Sequence, residues 1–409
     1  MPCCPYGCQG LNQGTLAIVD VTQSAYVDLR LDRWRTQTIH LRIQVATLIE
    51  ISVYFNLSRM TIATNLLNQL DNEKQRDLMK KILCLGIEST AHTFGVAIAS
   101  GDGTICSDVK DMYVPAVGKG IHPTEAAQHH NNVADRVIIE AFQKAGVRLN
   151  KIDAVAFSCG PGLGPCLRVG ATVARAISAY LRKPLVPVNH ALAHIEIASL
   201  TTGARDPLVV LVSGGHTVVA TYAAGRWRIC GETEDITLGN LLDMFARATG
   251  LSTPGGPEVE TMAEKGGEII DLPYTVKGND VAYSGLLSAA LREHKKGAQM
   301  VDLCFSLQEV AFSMLAEATE RSLAHTEKKE LLLTGGVAAN KRFQSMLKSI
   351  AEEHNAKFYV VDKRFSGDSG AQIAWNGILA FKAGLTASVE KSHVRPRWRL
   401  DQVDVAWRT

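Results

Sequence analysis

The sequence predicts an α/β protein made of two copies of one βββαβα-type unit, preceded by a small β-hairpin and helix. Three segments carry that prediction. KILCLGIESTAHTFGVAIAS (81–100) reads as an apolar strand, a polar turn and a second apolar strand. PLVVLVSGGHTVVATYAAG (207–225) repeats that plan in the second half of the chain, and ELLLTGGVAANKRFQSML (330–347) reads as a buried strand, a Gly-Gly turn and a helix. Short continuous apolar runs bounded by glycine belong to strands covered on both faces, and their alternation with helical segments belongs to layered α/β folds.

Composition agrees. A chain of 409 residues has room for two or three domains, and 46% hydrophobic with 21% charged residues is ordinary for a soluble globular protein. No apolar run approaches the ~20 residues of a membrane span, and no secretory signal is visible. Nine cysteines, an odd number, mostly in apolar or glycine-rich segments, point to reduced thiols and a cytoplasmic protein (nuclear as well, in a eukaryote). Cys3, Cys4 and Cys8 cluster near the start without the second pair that a zinc site needs. A net charge of +2 leaves any nucleic-acid contact to local patches or partner subunits.

In chain order, residues 1–78 form an extension. SAYVDLRLD (24–32) and TIHLRIQVA (38–46) alternate apolar and polar positions around the turn RWRTQ, which predicts a hairpin, and 47–70 carry apolar groups at helical spacing. DNEKQRDLMKK (71–81) is a charged linker. The two copies of the unit are placed at 79–205 and 206–409. Paired domains that each open with such a hairpin resemble the duplicated actin-like ATPase fold of sugar kinases and heat-shock chaperones. In that fold the nucleotide phosphates lie between the hairpins and the third turn takes the adenosine.

His190 and His194 in HALAHIEIA share one helix face at i,i+4 spacing, within reach of a single metal ion. Two hydrogen-bonded core histidines are the plain alternative. HALAH has no glutamate of the HExxH type, so a third ligand comes from elsewhere; Asp368, in the glycine-flanked turn FSGDSGAQIAWNG, is the best candidate. Two imidazoles and a carboxylate leave coordination positions open to a substrate. Ser213, Gly214, Gly215 and Thr217 offer main-chain N–H groups and hydroxyls to a phosphate, or use glycine for a tight hairpin turn. Gly160, Gly162 and Gly164 form a stiff loop for which a ligand role outweighs a packing role. Asp243, Gly255, Gly256 and Glu260 place carboxylates beside a turn, suited to ribose or amino groups, or are surface charges on a capped helix. His122, His129 and His130 form a second cluster to which no metal is assigned, because adjacent side chains diverge on a helix.

From about Ile82 to Arg408 the chain resembles the universal tRNA adenosine threonylcarbamoyltransferase family, in the form that serves as catalytic subunit of the KEOPS complex. The strings GIEST (86–90), IHPTEAAQHH (121–130), GPGLGPCLRVG (160–170), PVNHALAH (187–194), LVSGGHT (211–217), YSGLLSA (283–289), TGGVAANKRF (334–343) and SGDSGAQIAW (366–375) carry it. The resemblance implies that His190, His194 and Asp368 hold one divalent metal ion, iron first, with zinc or magnesium as alternatives. It implies that Leu211, Val212, Ser213, Gly214 and Gly215 line the phosphate and carbonyl end of threonylcarbamoyl-AMP. Asp243, Gly256, Glu260 and Asn340 then bind its adenosine, or an adenine nucleotide. The acceptor is the amine of the adenosine 3′ of the anticodon in tRNAs reading codons that begin with A. Implied partners are tRNA and the KEOPS subunits, including an atypical kinase and a small dimerising subunit, whose second half residues 1–78 resemble in pattern; no membrane is involved. Two rival functions are a metallo-glycoprotease, weakened by the missing glutamate, and an ATP-binding scaffold of the same fold. The basic segment KSHVRPRWRL (391–400) with Trp398 interleaved is a candidate RNA contact, or a solvated tail packed on the body.

Overall fold

A computed structural model describes residues 82–408 except Val117 and Thr253. The expected N-terminal hairpin, the helix at 47–70 and the Cys3–Cys4–Cys8 cluster lie outside the described residues.

The duplication is visible in the sheets. The first contains β1 (Leu83–Glu88), β2 (Thr93–Ser100), β3 (Ile105–Met112), β4 (Ala154–Gly160) and β5 (Leu185–Asn189), in the order β3-β2-β1-β4-β5. The second contains β6 (Leu208–Val212), β7 (Thr217–Ala223), β8 (Arg226–Glu232), β11 (Glu330–Thr334) and β12 (Lys357–Val360), in the order β12-β11-β6-β7-β8. Reading both from the hairpin outward gives one pattern: a three-stranded antiparallel meander, then two parallel strands on its other edge. Between β8 and β11 a two-stranded ribbon pairs β9 (Val276–Lys277) with β10 (Asp280–Val281). The parallel strands are reached through helices, as such crossovers require.

Helices α1 (Pro123–Ala145) and α2 (Gly164–Leu181) pack on one face of the first sheet, around Leu85, Ile87, Phe157 and Val137. Helix α3 (His190–Thr202) starts directly from β5. Asn189 caps it by accepting from the Leu192 N–H at 3.0 Å, and Gly203 ends it at φ 78°. Residues 190–198 are all buried, so this stretch has no solvent face and its polar groups need partners inside the protein. The second half adds α4 (Leu238–Thr249), α5 (Gly255–Ala263), α6 (Ser284–Lys295), α7 (Met300–Thr326), α8 (Lys341–Glu353) and the short α9 (Lys363–Ser366).

The last long helix, α10 (Gly370–Lys382), crosses back and covers the other face of the first sheet. It lies so close that a Cβ on Gly86 would stand 2.2 Å from the Ala374 amide nitrogen, and one on Gly370 would stand 2.4 Å from that of Ala97. Small residues on both surfaces make this approach sterically feasible. Among the described residues no helix is long and apolar enough to cross a membrane.

Candidate functional site

The start of α3, the turn after β1 and the loop before α10 meet at three side chains. His190 and His194 project from the first turns of α3, one helical turn apart, with ring centroids 4.7 Å apart and nearly perpendicular. Asp368 enters from the loop ahead of α10. Its Oδ1 lies 3.4 Å from His190 Nε2 and 3.3 Å from His194 Nε2. Charge-assisted hydrogen bonds are shorter, ~2.7–2.9 Å. Two donors each ~2.1 Å from one ion at a tetrahedral angle are about 3.4 Å apart. Among the described residues these three form a group whose donor atoms all lie within 4.8 Å of one another. The spacing fits a metal better than it fits a hydrogen-bonded trio.

Glu88 completes the arrangement, and the sequence reading missed it. Fully buried at the end of β1, it accepts from His190 Nδ1 at 2.9 Å, from the Thr90 amide at 2.6 Å and from the Thr90 hydroxyl. That bond fixes the His190 tautomer and aims Nε2 at Asp368, the usual second partner of a ligating histidine. A carboxylate inside the apolar run LCLGIE was the available signal, since a buried acid must find a partner. Glu88 occupies the Nδ1 side, away from Asp368, so it orients the imidazole and is not placed as the general base that a HExxH protease uses.

Burial alone would push the His190 imidazole down, but the carboxylates of Glu88 and Asp368 outweigh it and hold the group up at about 10. Burial would likewise raise Asp368; the facing imidazoles, His190 first, hold it well below the usual carboxylate range. Burial keeps His194 down and therefore neutral, able to present a lone pair. The proton on His190 balances the two acids and would have to leave for a metal to be held there.

The Gly-Gly turn adjoins this centre. His216, the second residue absent from the sequence reading, has its ring centroid 6.1 Å from that of His190. Burial, then repulsion by His190 and His194, pushes it down to about 3. Leu211 and Val212 are buried in β6. Ser213 Oγ accepts from the Gly215 and His216 amides at 3.1 and 3.0 Å, and Ser213 N–H donates to the His216 carbonyl at 2.8 Å. Thr217 Oγ1 accepts from the Leu238 amide at 2.8 Å, starting α4. Neither Gly214 nor Gly215 has positive φ, so the turn does not require glycine for its backbone. A Cβ on Gly214 would meet nothing within 4 Å, which leaves that edge clear for a ligand. Gly160 and Gly162 behave differently. A Cβ there would fall 1.9 Å from the Arg395 carbonyl oxygen and 2.6 Å from that of Thr90, so these glycines serve close packing, against the expected ligand role.

The remaining expected residues form a linked wall. Helix α4 packs against the Ser213 backbone at Gly239, where a Cβ would lie 2.6 Å from the Ser213 carbonyl oxygen. Further along α4, Asp243 accepts from the Gly255 amide at 2.7 Å, setting the start of α5, and leaves Gly256 open except for Leu242 at 3.8 Å. Glu260 accepts from the Lys341 amide at 2.7 Å. Asn340 caps α8 by accepting from the Phe343 amide and donates to Gln308 Oε1 at 2.8 Å, so its amide already has internal partners. His129 bonds Asp111 and His130 bonds the Ala91 carbonyl; neither joins the metal group.

Residues 105–375 match the family described as TsaD, tRNA N6-adenosine threonylcarbamoyltransferase. The tRNA N6-adenosine threonylcarbamoyltransferase of Thermofilum pendens is 54% identical over 81% of this chain and 98% of that protein. A probable bifunctional tRNA threonylcarbamoyladenosine biosynthesis protein of Methanocaldococcus jannaschii is 52% identical over 80% of this chain and 60% of its own length. A solved HypF from T. kodakarensis shares the fold, with a TM-score of 0.54 at 17% identity over 74% of this chain and 48% of that one. The chain belongs to the tRNA N6-adenosine threonylcarbamoyltransferase family.

Proposed function

We propose that this protein transfers the threonylcarbamoyl group of threonylcarbamoyl-AMP to the N6 amine of the adenosine 3′ of the anticodon, in tRNAs reading codons that begin with A. The supporting observation is the convergence of His190, His194 and Asp368 beside the open edge of the Ser213–Gly215 turn. In this reaction a C–N bond forms at the carbamoyl carbon, the bond from that carbon to the phosphate oxygen breaks, AMP leaves and N6 gives up a proton. The attacking aryl amine is weak, so the demand on the protein is positioning and stabilisation of charge on the leaving phosphate.

His190, His194 and Asp368 would hold a divalent ion, which when bound would supply Lewis-acid polarisation of a carbonyl or phosphoryl oxygen. Two imidazoles and one carboxylate suit iron, our first choice, with zinc next and magnesium least favoured by nitrogen ligands. Gly214 and Gly215 line the phosphate and carbonyl end, the Gly214 amide being offered to it while the Gly215 amide donates to Ser213 Oγ, and Leu211 and Val212 hold that turn in β6. Asp243, Gly256 and Glu260 take the ribose and adenine side; Asn340 contributes there chiefly by setting the start of α8. We assign the two lobes to 79–205 and 206–409, the working context to a KEOPS-type complex and the compartment to the cytoplasm. Relatives described as bifunctional, of which this chain spans 60%, support a second activity acting beside this one, which we assign to the atypical kinase.

The deciding experiment incubates the purified chain with threonylcarbamoyl-AMP and unmodified tRNA, with and without the other KEOPS subunits, and reads digested nucleosides by mass spectrometry. A threonylcarbamoyladenosine peak that requires this chain is expected. No peak beside a working control enzyme leaves a nucleotide-binding scaffold.

A further inference from the structure

The C-terminal basic segment is not a loose tail. Its backbone is clamped at three points around the metal helix: the Arg395 amide donates to the Cys159 carbonyl at 2.7 Å, the Pro396 carbonyl accepts from the Gly162 amide at 3.1 Å, and the Trp398 carbonyl accepts from Asn189 Nδ2 at 3.0 Å. Asn189 is the cap of α3 and the neighbour of His190. The absence of a side chain at Gly160 is what lets this segment seat so closely. Above the clamp lies an open cavity of about 540 Å³ lined by Arg395, Pro396, Arg397, Trp398 and Gln402, which is within the range of small-ligand sites.

The charges there are unspent. Arg399, Arg226 and Arg408 each meet a carboxylate. Arg395 and Arg397 are exposed and have no ion-pair partner among the described residues. Arg168, also exposed, joins them: its guanidinium and the Pro396 ring both stand beside Gly164, 3.5 and 3.8 Å from where a Cβ would be. Arg395 stacks over the Trp398 ring, its guanidinium carbon 4.8 Å from the centroid. The product is a flat, positively charged platform flanked by two free guanidinium groups on a backbone that needs no further ordering. Fork-shaped donors match phosphate oxygens, and a stacked Arg–Trp pair offers a planar face to an unstacked base.

We propose that Arg168, Arg395, Arg397 and Trp398 form the surface that holds the phosphate backbone of the acceptor RNA next to the metal helix. The proposal rests on the reading that the acceptor is tRNA, and it assigns a docking role to residues for which the transfer chemistry has no use.

The test compares the full chain with Arg395→Ala/Arg397→Ala and Arg168→Ala. Unmodified tRNA binding is measured across a salt series, beside threonylcarbamoyl-AMP binding, bound metal and melting temperature. The double variant is expected to weaken tRNA binding at least tenfold and to flatten log K against log[salt] by one to two units, roughly one per lost phosphate contact. Adenylate binding, metal content and melting temperature stay unchanged. Equal tRNA affinity and an equal salt slope in wild type and variants overturn the proposal, as does a loss confined to binding of an acidic protein. Nucleoside analysis on the same samples separates the two readings: tight arginine-dependent tRNA binding without modified adenosine rejects the transferase and keeps the surface.

Discussion

In the first hairpin the turn between β1 and β2 is filled from below, with Glu88 and Ser89 fully buried and α10 pressed against Gly86. In the second, between β6 and β7, the turn is left clear, with Gly214 and Gly215 exposed and no atom in the space a side chain would take at Gly214. The strands are paired alike in both. Duplication therefore conserved the scaffold while the turns diverged, one into a carboxylate that aims a histidine and the other into an open edge. Glycine serves both hairpins, for opposite reasons: within strand β1 Gly86 allows close contact with α10, and in the second turn Gly214 leaves access for something outside the fold.

Substitutions should separate these two uses. His190→Ala removes a donor and is expected to abolish stoichiometric metal binding and to lower transfer by more than the tenfold to hundredfold attached to outer partners of a metal site; metal analysis and single-turnover assays check it. Gly86→Ala drives a Cβ into backbone atoms of α10 and should cost about 3 kcal/mol or more in stability, measured by denaturant melts. Gly214→Ala, by contrast, should change stability by less than ~0.5 kcal/mol while raising KM for threonylcarbamoyl-AMP. If Gly214→Ala instead unfolded the protein and kept its KM, the contrast would collapse. Glu88→Gln retains the shape around Thr90 but weakens the hold on His190 Nδ1, and metal affinity should fall about tenfold to a hundredfold with little change in fold.

A further expected effect is with pH. His130, buried behind the first turn and bonded to the Ala91 carbonyl, is pushed by burial down to about 4. Its folded value lies below the unfolded one, so the stability it contributes is full above about pH 6.5 and is lost as pH falls toward 4. Melts between pH 7.5 and 4.5 should show a decline of at most about 1.4 kcal/mol per pH unit from this group. His130→Gln should flatten it.

Much of this was legible in the chain because it depends on local spacing. The i,i+4 histidines, the Gly-Gly turn and the repeated hairpins are short-range patterns, and Asp368 stood out by its glycine-flanked turn. What escaped notice depends on contacts distant in sequence. Glu88 meets His190 across 102 residues, and Arg408 pairs with the buried Glu196 across 212. Gly160 and Gly162 belong with them. Three alternating glycines suggest a cradle for phosphate, but the surface that approaches Gly160 comes from a segment more than 200 residues later and the one at Gly162 is Thr90.

One consequence concerns the order in which the molecule can be made. Asp368 and α10 come after both sheets in the chain, yet α10 forms the lining of the first sheet, with Gly377 against Ala156 and Cys84. A nascent chain that has released residues 83–205 thus carries a sheet with one face bare, and His190 and His194 without Asp368. Lobe-by-lobe completion, the usual route for a chain of this size, is closed to it. The first lobe to be synthesised is the last to be finished, and a polypeptide truncated before residue 368 loses Asp368 and the helix that covers one face of its first sheet in one stroke.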